Sequence, residues 1–434
     1  MDCQTDILVV GAGITGCAAA QELNASGRDY LLIEKNAEPG GLTRSIDIGG
    51  AQFDYTGHFL HLSRYRSPEE IPHAHQKNSE WQLIDRYSAV YTERTVVPAP
   101  FQYNLFALPK NVRDQYYTDY LERTPNNHPA SFKDYLLAGF GRGICEAFLF
   151  PYNEKLLATP LQDLSIENVK RFFPVPDKQK IESGYAGKGE GASTGYNSCF
   201  WYPIRNGIGI LARGLAEGLT SLKKCCPLES IDLKAKVART PFGTIKYDKV
   251  ITSIPLNVFC RQSSEKTLHH LASRLNHTRV LCINILLKGE FNKEFQGCHW
   301  IYVPDRDLPF YRLGIYSHIP NSVYRKDRTA LYVERAYSGK ETESPSIDSE
   351  IQEALSSLER LGWVYRRDCI TVSAHWIDCA YVHFDHARRE TVEEIKEILN
   401  RFDVHTVGRY GLWDYISMED SICSGLEAAR NVLK

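Results

Sequence analysis

Long apolar runs are missing from this 434-residue sequence. The best candidate, Val280 to Leu287, has the length of a buried strand. It falls far short of the roughly 20 residues a membrane helix needs. The first apolar run, Ile7 to Val10, is too short for the core of a secretion signal. An excess of one charge is also absent, with 51 Lys+Arg against 53 Asp+Glu and a net charge of -2. That argues against a nucleic-acid surface, so any anion site must be local. The 12 Cys include no C-x-x-C pair, and Cys225-Cys226 are adjacent among polar residues. No metal site is expected, and reduced thiols in the cytoplasm are. Methionine is scarce, at 2 residues against 25 Tyr and 18 Phe, which suggests pockets lined by aromatic rings. There is no internal repeat and no low-complexity segment. The length exceeds one compact core, so two or three domains are expected.

What is present begins at Asp6 to Glu34, which reads DILVVGAGITGCAAAQELNASGRDYLLIE. Ile7 to Val10 suits a buried parallel strand. Gly11, Gly13 and Gly16 form G-x-G-x-x-G. They serve a tight turn, the approach of a pyrophosphate and close helix–strand packing, respectively. Ile14 to about Ala25 is helical in character, and Tyr30 to Ile33 is a second strand. Glu34 closes it with an acid suited to a ribose hydroxyl. Strand, helix, strand and acid together point to a dinucleotide, NAD or FAD.

Further along, Ser45 to Gly57 with Gly49-Gly50 reads as a hairpin, and Tyr87 to Val97 as two short strands. Helical spacing covers Val112 to Glu122, Ser131 to Ala138 and Gly143 to Phe150. Pro151 to Lys155 reads as an interruption and Leu164 to Phe173 as another short helix. Gly184 to Asn197 is rich in Gly and Ser and reads as a loop, with Gly184 to Gly195 a candidate lid. A helix over Ile210 to Leu219 and a strand ending near Leu256 read as a return to the nucleotide-binding sheet. Val280 to Lys288, Trp300 to Val303, Phe310 to Tyr316, Ala330 to Ala336 and Ile370 to Ile377 read as a second sheet. Helices are expected at Ile347 to Leu361, Val392 to Arg401 and Ser421 to Leu433.

These segments resemble, in order and over nearly the whole chain, the UDP-galactopyranose mutase family. The eukaryotic-type branch is the nearer, within the amine-oxidase-like FAD flavoproteins. The resemblance rests on the glycine fingerprint with Pro39-Gly40-Gly41-Leu42, on Gly57-His58, and on Pro100 to Asn104. It continues through Phe150-Pro151-Tyr152-Asn153-Glu154-Lys155, Phe200 to Gly209, Pro309-Phe310-Tyr311-Arg312 and Gly408 to Tyr415. It implies an α/β fold with a discontinuous Rossmann-type FAD-binding domain at 1–98, 196–263 and 402–434. A helical insertion would span 99–195 and an antiparallel sheet domain 264–401. It implies reduced FAD, whose N5 displaces the nucleoside diphosphate from a sugar and carries it through ring opening and reclosure. NAD(P)H docking in the same cleft is one route to that reduction. The partner implied is a nucleotide-diphosphate sugar, with no nucleic acid and no membrane, and a homo-oligomer is compatible with it.

Carried over by position, Arg171 and Arg312 would hold the diphosphate, and Tyr381 and Tyr415 would donate hydroxyls to it. His58 would set its loop against the flavin. Asn153 and Asn197 would bond the substrate, with Gln102 and Phe148 lining the base pocket. Cofactor contacts would come from Gly11, Gly13, Gly16, Glu34, Gly40, Gly41, Leu42, Gly57, Val237, Gly408, Arg409 and Ser421. The chain departs from the family at Thr56 and Asn206, where glycines are usual. It departs again at Leu156-Leu157 and Ala99, where aromatic residues are. These departures touch the substrate more than the flavin. Two alternatives share the fold: an amine or porphyrinogen oxidoreductase, and a flavin-binding protein without catalysis.

Overall fold

The computed structural model describes residues 2–74, 80–167, 173–189, 198–320, 327–341 and 343–434. Arg171 and Asn197 lie outside these residues, as do half of the expected helix Leu164 to Phe173 and the end of the glycine-rich stretch.

Two large sheets carry the fold. In the first, strand Cys3–Val10 lies parallel between Tyr30–Ile33 and Gly243–Thr252, and Val404–Thr406 pairs in parallel with Gly243–Thr252. The carboxyl half of the inner strand, Ile7 to Val10, is apolar, with Leu8 and Val9 fully buried, because both of its faces are covered there. Helix Ile14–Ala25 packs on one face, and the closing helix Met418–Val432 packs against it in turn. That close pairing depends on slim residues: a Cβ at Gly425 would strike the carbonyl oxygen of Thr15. This is the Rossmann-like part, separate from the second sheet.

The second sheet runs in the order Cys369–Val382, His277–Lys288, Arg328–Ser338, Arg312–Ile315, Trp300–Tyr302, Ser88–Thr92, Thr95–Pro98. Its pairs are antiparallel except Trp300–Tyr302 with Ser88–Thr92. The two strands before residue 98, expected with the first part of the nucleotide-binding domain, therefore hydrogen-bond into the second sheet instead. Helix Ile347–Arg360 covers one face of the sheet.

The helical segment differs from expectation in three places. Pro151 to Lys155 do not interrupt a helix but lie inside helix Phe150–Leu157. A π-helical turn, Cys145–Leu149, precedes it. Pro151 has no N–H to offer, and the wider turn just upstream absorbs the missing bond. Leu164 bridges to Asp385 in extended form, and Ser165 to Glu167 are not helical. Gly184 belongs to a helix, Lys178–Tyr185, capped by the Asp177 carboxylate. A Cβ at Gly184 would run into the backbone of Tyr103, so this glycine serves packing.

Two buried polar groups tie the parts together. The Lys155 Nζ donates to the carbonyls of Val303, Asp305 and Phe310 at 2.8, 2.8 and 2.6 Å. It thereby fixes the loop leading to Arg312 onto helix Phe150–Leu157. Lys155→Met should leave those carbonyls unpaired at about 1–3 kcal/mol per group, read as a lower urea midpoint with an unchanged slope.

The Asp54 carboxylate, fully buried, accepts from the Ser45 hydroxyl, the Tyr202 hydroxyl and the Ile208 N–H. Burial outweighs these bonds and pushes its pKa up to about 6. Between roughly pH 4 and 6 the folded state keeps a proton that an unfolded Asp (about 3.9) has lost. Stability from this group is thus complete below about pH 4 and falls by about 3 kcal/mol as pH rises to 6. Asp54→Asn should abolish that part of the pH dependence in denaturation experiments.

Candidate active site

A cavity of about 860 Å³ runs from the carboxyl ends of the parallel strands to the second sheet. Its size suits a cofactor or ligand pocket, typically about 300–1,000 Å³. At one end the Glu34 carboxylate, buried, accepts from the Ala12 N–H at 2.8 Å and the Asn36 N–H at 2.9 Å. Cys226, Leu228, Asn257 and Gln262 line the same end.

The glycine turn comes next. Gly11 takes φ +92°, a left-handed value that glycine supplies freely. A Cβ at Gly13 would meet no protein atom within 4 Å, so open space stands before the N-terminus of helix Ile14–Ala25. That helix start has no side-chain cap, so its first N–H groups are left for an anion such as a pyrophosphate. Gly40, Gly41 and Leu42 continue this wall, and Gly40 N–H donates to the Ala12 carbonyl. Gly408 presses on the helix, where a Cβ would strike the Thr15 hydroxyl, and Ser421 lines the wall beside it. These groups fit a dinucleotide cofactor. Val237 does not share the cavity. It sits in antiparallel strand Val237–Thr240 opposite Lys246, near the amino end of the parallel strands, whereas the cavity opens at their carboxyl ends.

At the far end, Gly57 and His58 line the cavity, and a Cβ at Gly57 would overlap the Tyr332 hydroxyl. Phe59 holds this loop down, its ring stacked on Phe200 at 4.0 Å and on Trp300 at 5.0 Å. Burial, with Arg409 nearby, pushes the His58 pKa down to about 4, so the imidazole is neutral at neutral pH. Its Nδ1 is buried without a partner.

Arg312 faces the same space, held by a carboxylate that the sequence gives no sign of. The Glu334 Oε2 accepts from its Nε at 2.8 Å and from its Nη2 at 2.6 Å. Glu334 is 1% exposed, and its other oxygen accepts a short bond from the Thr56 hydroxyl. Thr56, the departure from glycine, therefore pins the acid that orients Arg312. Tyr381 and Tyr415 stack with ring centres 6.0 Å apart, and the Arg312 Nη2 lies 3.5 Å from the Tyr381 hydroxyl. The Arg409 Cζ sits 3.8 Å from the Tyr415 ring centre.

Gln102, Phe148 and Asn153 are not brought to this wall; among the described residues no helical-insertion residue lines the cavity. The Asn153 amide donates to the Leu149 carbonyl at 2.6 Å and is buried in its own helix. Phe148 packs among Phe101, Tyr152 and Tyr302. Gln102 lies half-buried on the turn Phe101–Tyr103.

A family model described as an NAD(P)-binding Rossmann-like domain matches residues 9–70. A crystal structure of reduced UDP-galactopyranose mutase is similar over 99% of this chain and 95% of that one, at 26% identity and a TM-score of 0.90. The chain resembles the UDP-galactopyranose mutases over its whole length. A putrescine oxidase shares the fold at 14% identity and a TM-score of 0.65. A putative protoporphyrinogen oxidase from Exiguobacterium sp. 255-15 shares the fold at 15% identity and a TM-score of 0.75. A pseudooxynicotine dehydrogenase from Pseudomonas sp. is 22% identical over 58% of this chain and 52% of its own length. The chain spans about half, or much less, of the curated relatives it matches. No described helix is long and apolar enough to cross a membrane. Sequence reasoning missed Glu334 and Trp300 at this cavity, because each arrives from a strand with no local signature, and passed over Arg44, which follows the Gly40-Gly41-Leu42 wall.

Proposed function

We propose that the protein is a flavin-dependent nucleotide-sugar mutase that isomerises a pyranose to a furanose without net redox change. The observation that carries this reading is one wall of the cavity. There Arg312, Arg409, Tyr381 and Tyr415 converge opposite the neutral His58. The Arg312 guanidinium and two phenols suit a diphosphate leaving group, because planar N–H donors match phosphate oxygens. An ammonium substrate would be repelled there.

When bound and reduced, FAD supplies the nucleophile at N5 that displaces the diphosphate. The chain's own residues orient and neutralise. Arg312, aimed by Glu334, holds the departing diphosphate with the Tyr381 hydroxyl; from sequence position Arg171 is assigned the same task and Asn197 a bond to the substrate. The His58 loop, anchored by Phe59, would hold its backbone against the ring of a bound flavin. NAD(P)H in the same cleft is the proposed reductant.

The oxidoreductase reading draws support from Glu334, a carboxylate that partly neutralises this wall, and from the names of the curated relatives. Titrating the flavin-loaded protein with UDP, GDP and dTDP while following flavin absorbance separates the two. Micromolar binding of one nucleotide, lost in Arg312→Ala, is the expected result. No binding of any, with oxygen consumed on addition of an amine, would overturn it.

A further inference from the structure

The cavity end beneath Tyr381 and Tyr415 holds one positive charge more than negative. Arg312 is matched by Glu334. Arg409 is matched by no carboxylate among the described residues. Its Nη1 donates to the Ile416 carbonyl at 3.2 Å, its Cζ rests on the Tyr415 ring, and its buried Nε has no partner. The groups around it come from three places. His58 stands on its loop; Arg312, Glu334, Cys379 and Tyr381 stand on the second sheet; Tyr410 and Tyr415 stand on Arg409's own turn. Burial keeps the Cys379 thiol and the Tyr381 phenol protonated, each pushed up to about 12, and keeps His58 neutral. Glu334 is thus the single anion of the group, and it is already spent on Arg312.

A buried guanidinium without a counter-charge is costly, so the site is built for an anion. Sugar hydroxyls and an oxidised flavin ring bring none. A flavin reduced by two electrons does, when it gains only one proton: that proton goes to N5, and the negative charge stays on N1 and the C2 carbonyl. We propose that Arg409 is the counter-cation of the N1-deprotonated reduced flavin and thereby sets the cofactor's reduction potential. Arg409 would favour the reduced state, which a nucleophilic N5 requires, and would do so before any sugar arrives. The inference needs bound FAD but not the mutase activity, so the two can fail separately.

The test is an anaerobic dithionite titration of the FAD-loaded protein against a reference dye, from pH 6 to 8. A tenfold change in a two-electron equilibrium is about 30 mV. Wild type should therefore show a slope near 30 mV per pH unit, for one proton per two electrons. Arg409→Gln should lower the potential at pH 7 by at least 30 mV and steepen the slope toward two protons. Arg409→Lys should restore most of the potential. A two-proton slope in wild type overturns the proposal and needs no variant, so it decides even if Arg409→Gln fails to hold FAD. An unchanged potential in Arg409→Gln, with UDP binding weakened, would also overturn it and assign the cation to the diphosphate.

Discussion

Glu334→Ala is expected to destabilise the folded protein by about 3–5 kcal/mol, the range for breaking a buried ion pair from one side. Glu334 is 1% exposed and the Arg312 side chain 13%. Without the acid, the guanidinium keeps the Tyr381 hydroxyl at 3.5 Å and the Trp300 and Tyr311 rings at 5.5 and 5.8 Å, and none of these is an anion. They do not offset a desolvated charge. Urea unfolding at saturating FAD measures the loss. The double variant Arg312→Met with Glu334→Leu should recover much of the stability, since apolar pairs replace buried ion pairs at little cost. It should nevertheless show no affinity for a nucleoside diphosphate. Stability and ligand binding would then separate at one pair of residues. A loss under about 1 kcal/mol in Glu334→Ala, the scale of an exposed pair, would mean that water reaches Arg312 freely.

Gly16→Ala should be nearly as severe, and through geometry alone. Its Cβ would overlap the Gly11 carbonyl oxygen, which is backbone and cannot swing aside. Helix Ile14–Ala25 cannot retreat either, because helix Met418–Val432 backs it at the Gly425–Thr15 contact. Overpacking of this kind typically costs about 1–3 kcal/mol, more where backbone must move. Gly13→Ala is the matched control. Its φ of -69° accepts alanine, and the new methyl meets no protein atom within 4 Å. The apo melting temperature should fall in Gly16→Ala and hold in Gly13→Ala, while FAD affinity falls in both. Equal melting temperatures for the two variants would show that the close helix–strand contact is dispensable.

The local parts of this fold were readable in the sequence. The strand, helix and strand around the first glycines fall where periodicity puts them, at Cys3–Val10, Ile14–Ala25 and Tyr30–Ile33. The hairpin at Gly49-Gly50 is equally plain, since its turn chemistry is written in adjacent residues. What escaped was set by distance. Pro151 misleads because its effect depends on the π turn before it, not on proline alone. The second-sheet membership of Ser88–Thr92 rests on a pairing with residues more than 200 positions away. Val237 was expected as a cofactor contact, but the chain makes an antiparallel excursion there and Leu228 reaches the cavity instead. Glu334 is invisible as a site residue because a glutamate in strand Arg328–Ser338 reads as a solvated edge until Arg312–Ile315 is laid beside it.

The order of strands also bears on how the chain is made. Strand Cys3–Val10 pairs on one side with Tyr30–Ile33, close by, and on the other with Gly243–Thr252. A ribosome adding about 5–20 residues per second needs roughly ten to fifty seconds to reach that second partner. During that interval the strand's apolar end, Ile7 to Val10, waits with one edge open, which is the condition that invites pairing with other chains. The cofactor cannot close the gap early, because Arg409, Tyr415 and Ser421, which also line the cavity, come later in the chain than Gly243–Thr252. Cofactor capture thus comes late, and the nascent chain is a natural client for chaperones. Yield in a cell should respond to slower translation and to chaperone supply more than to added riboflavin.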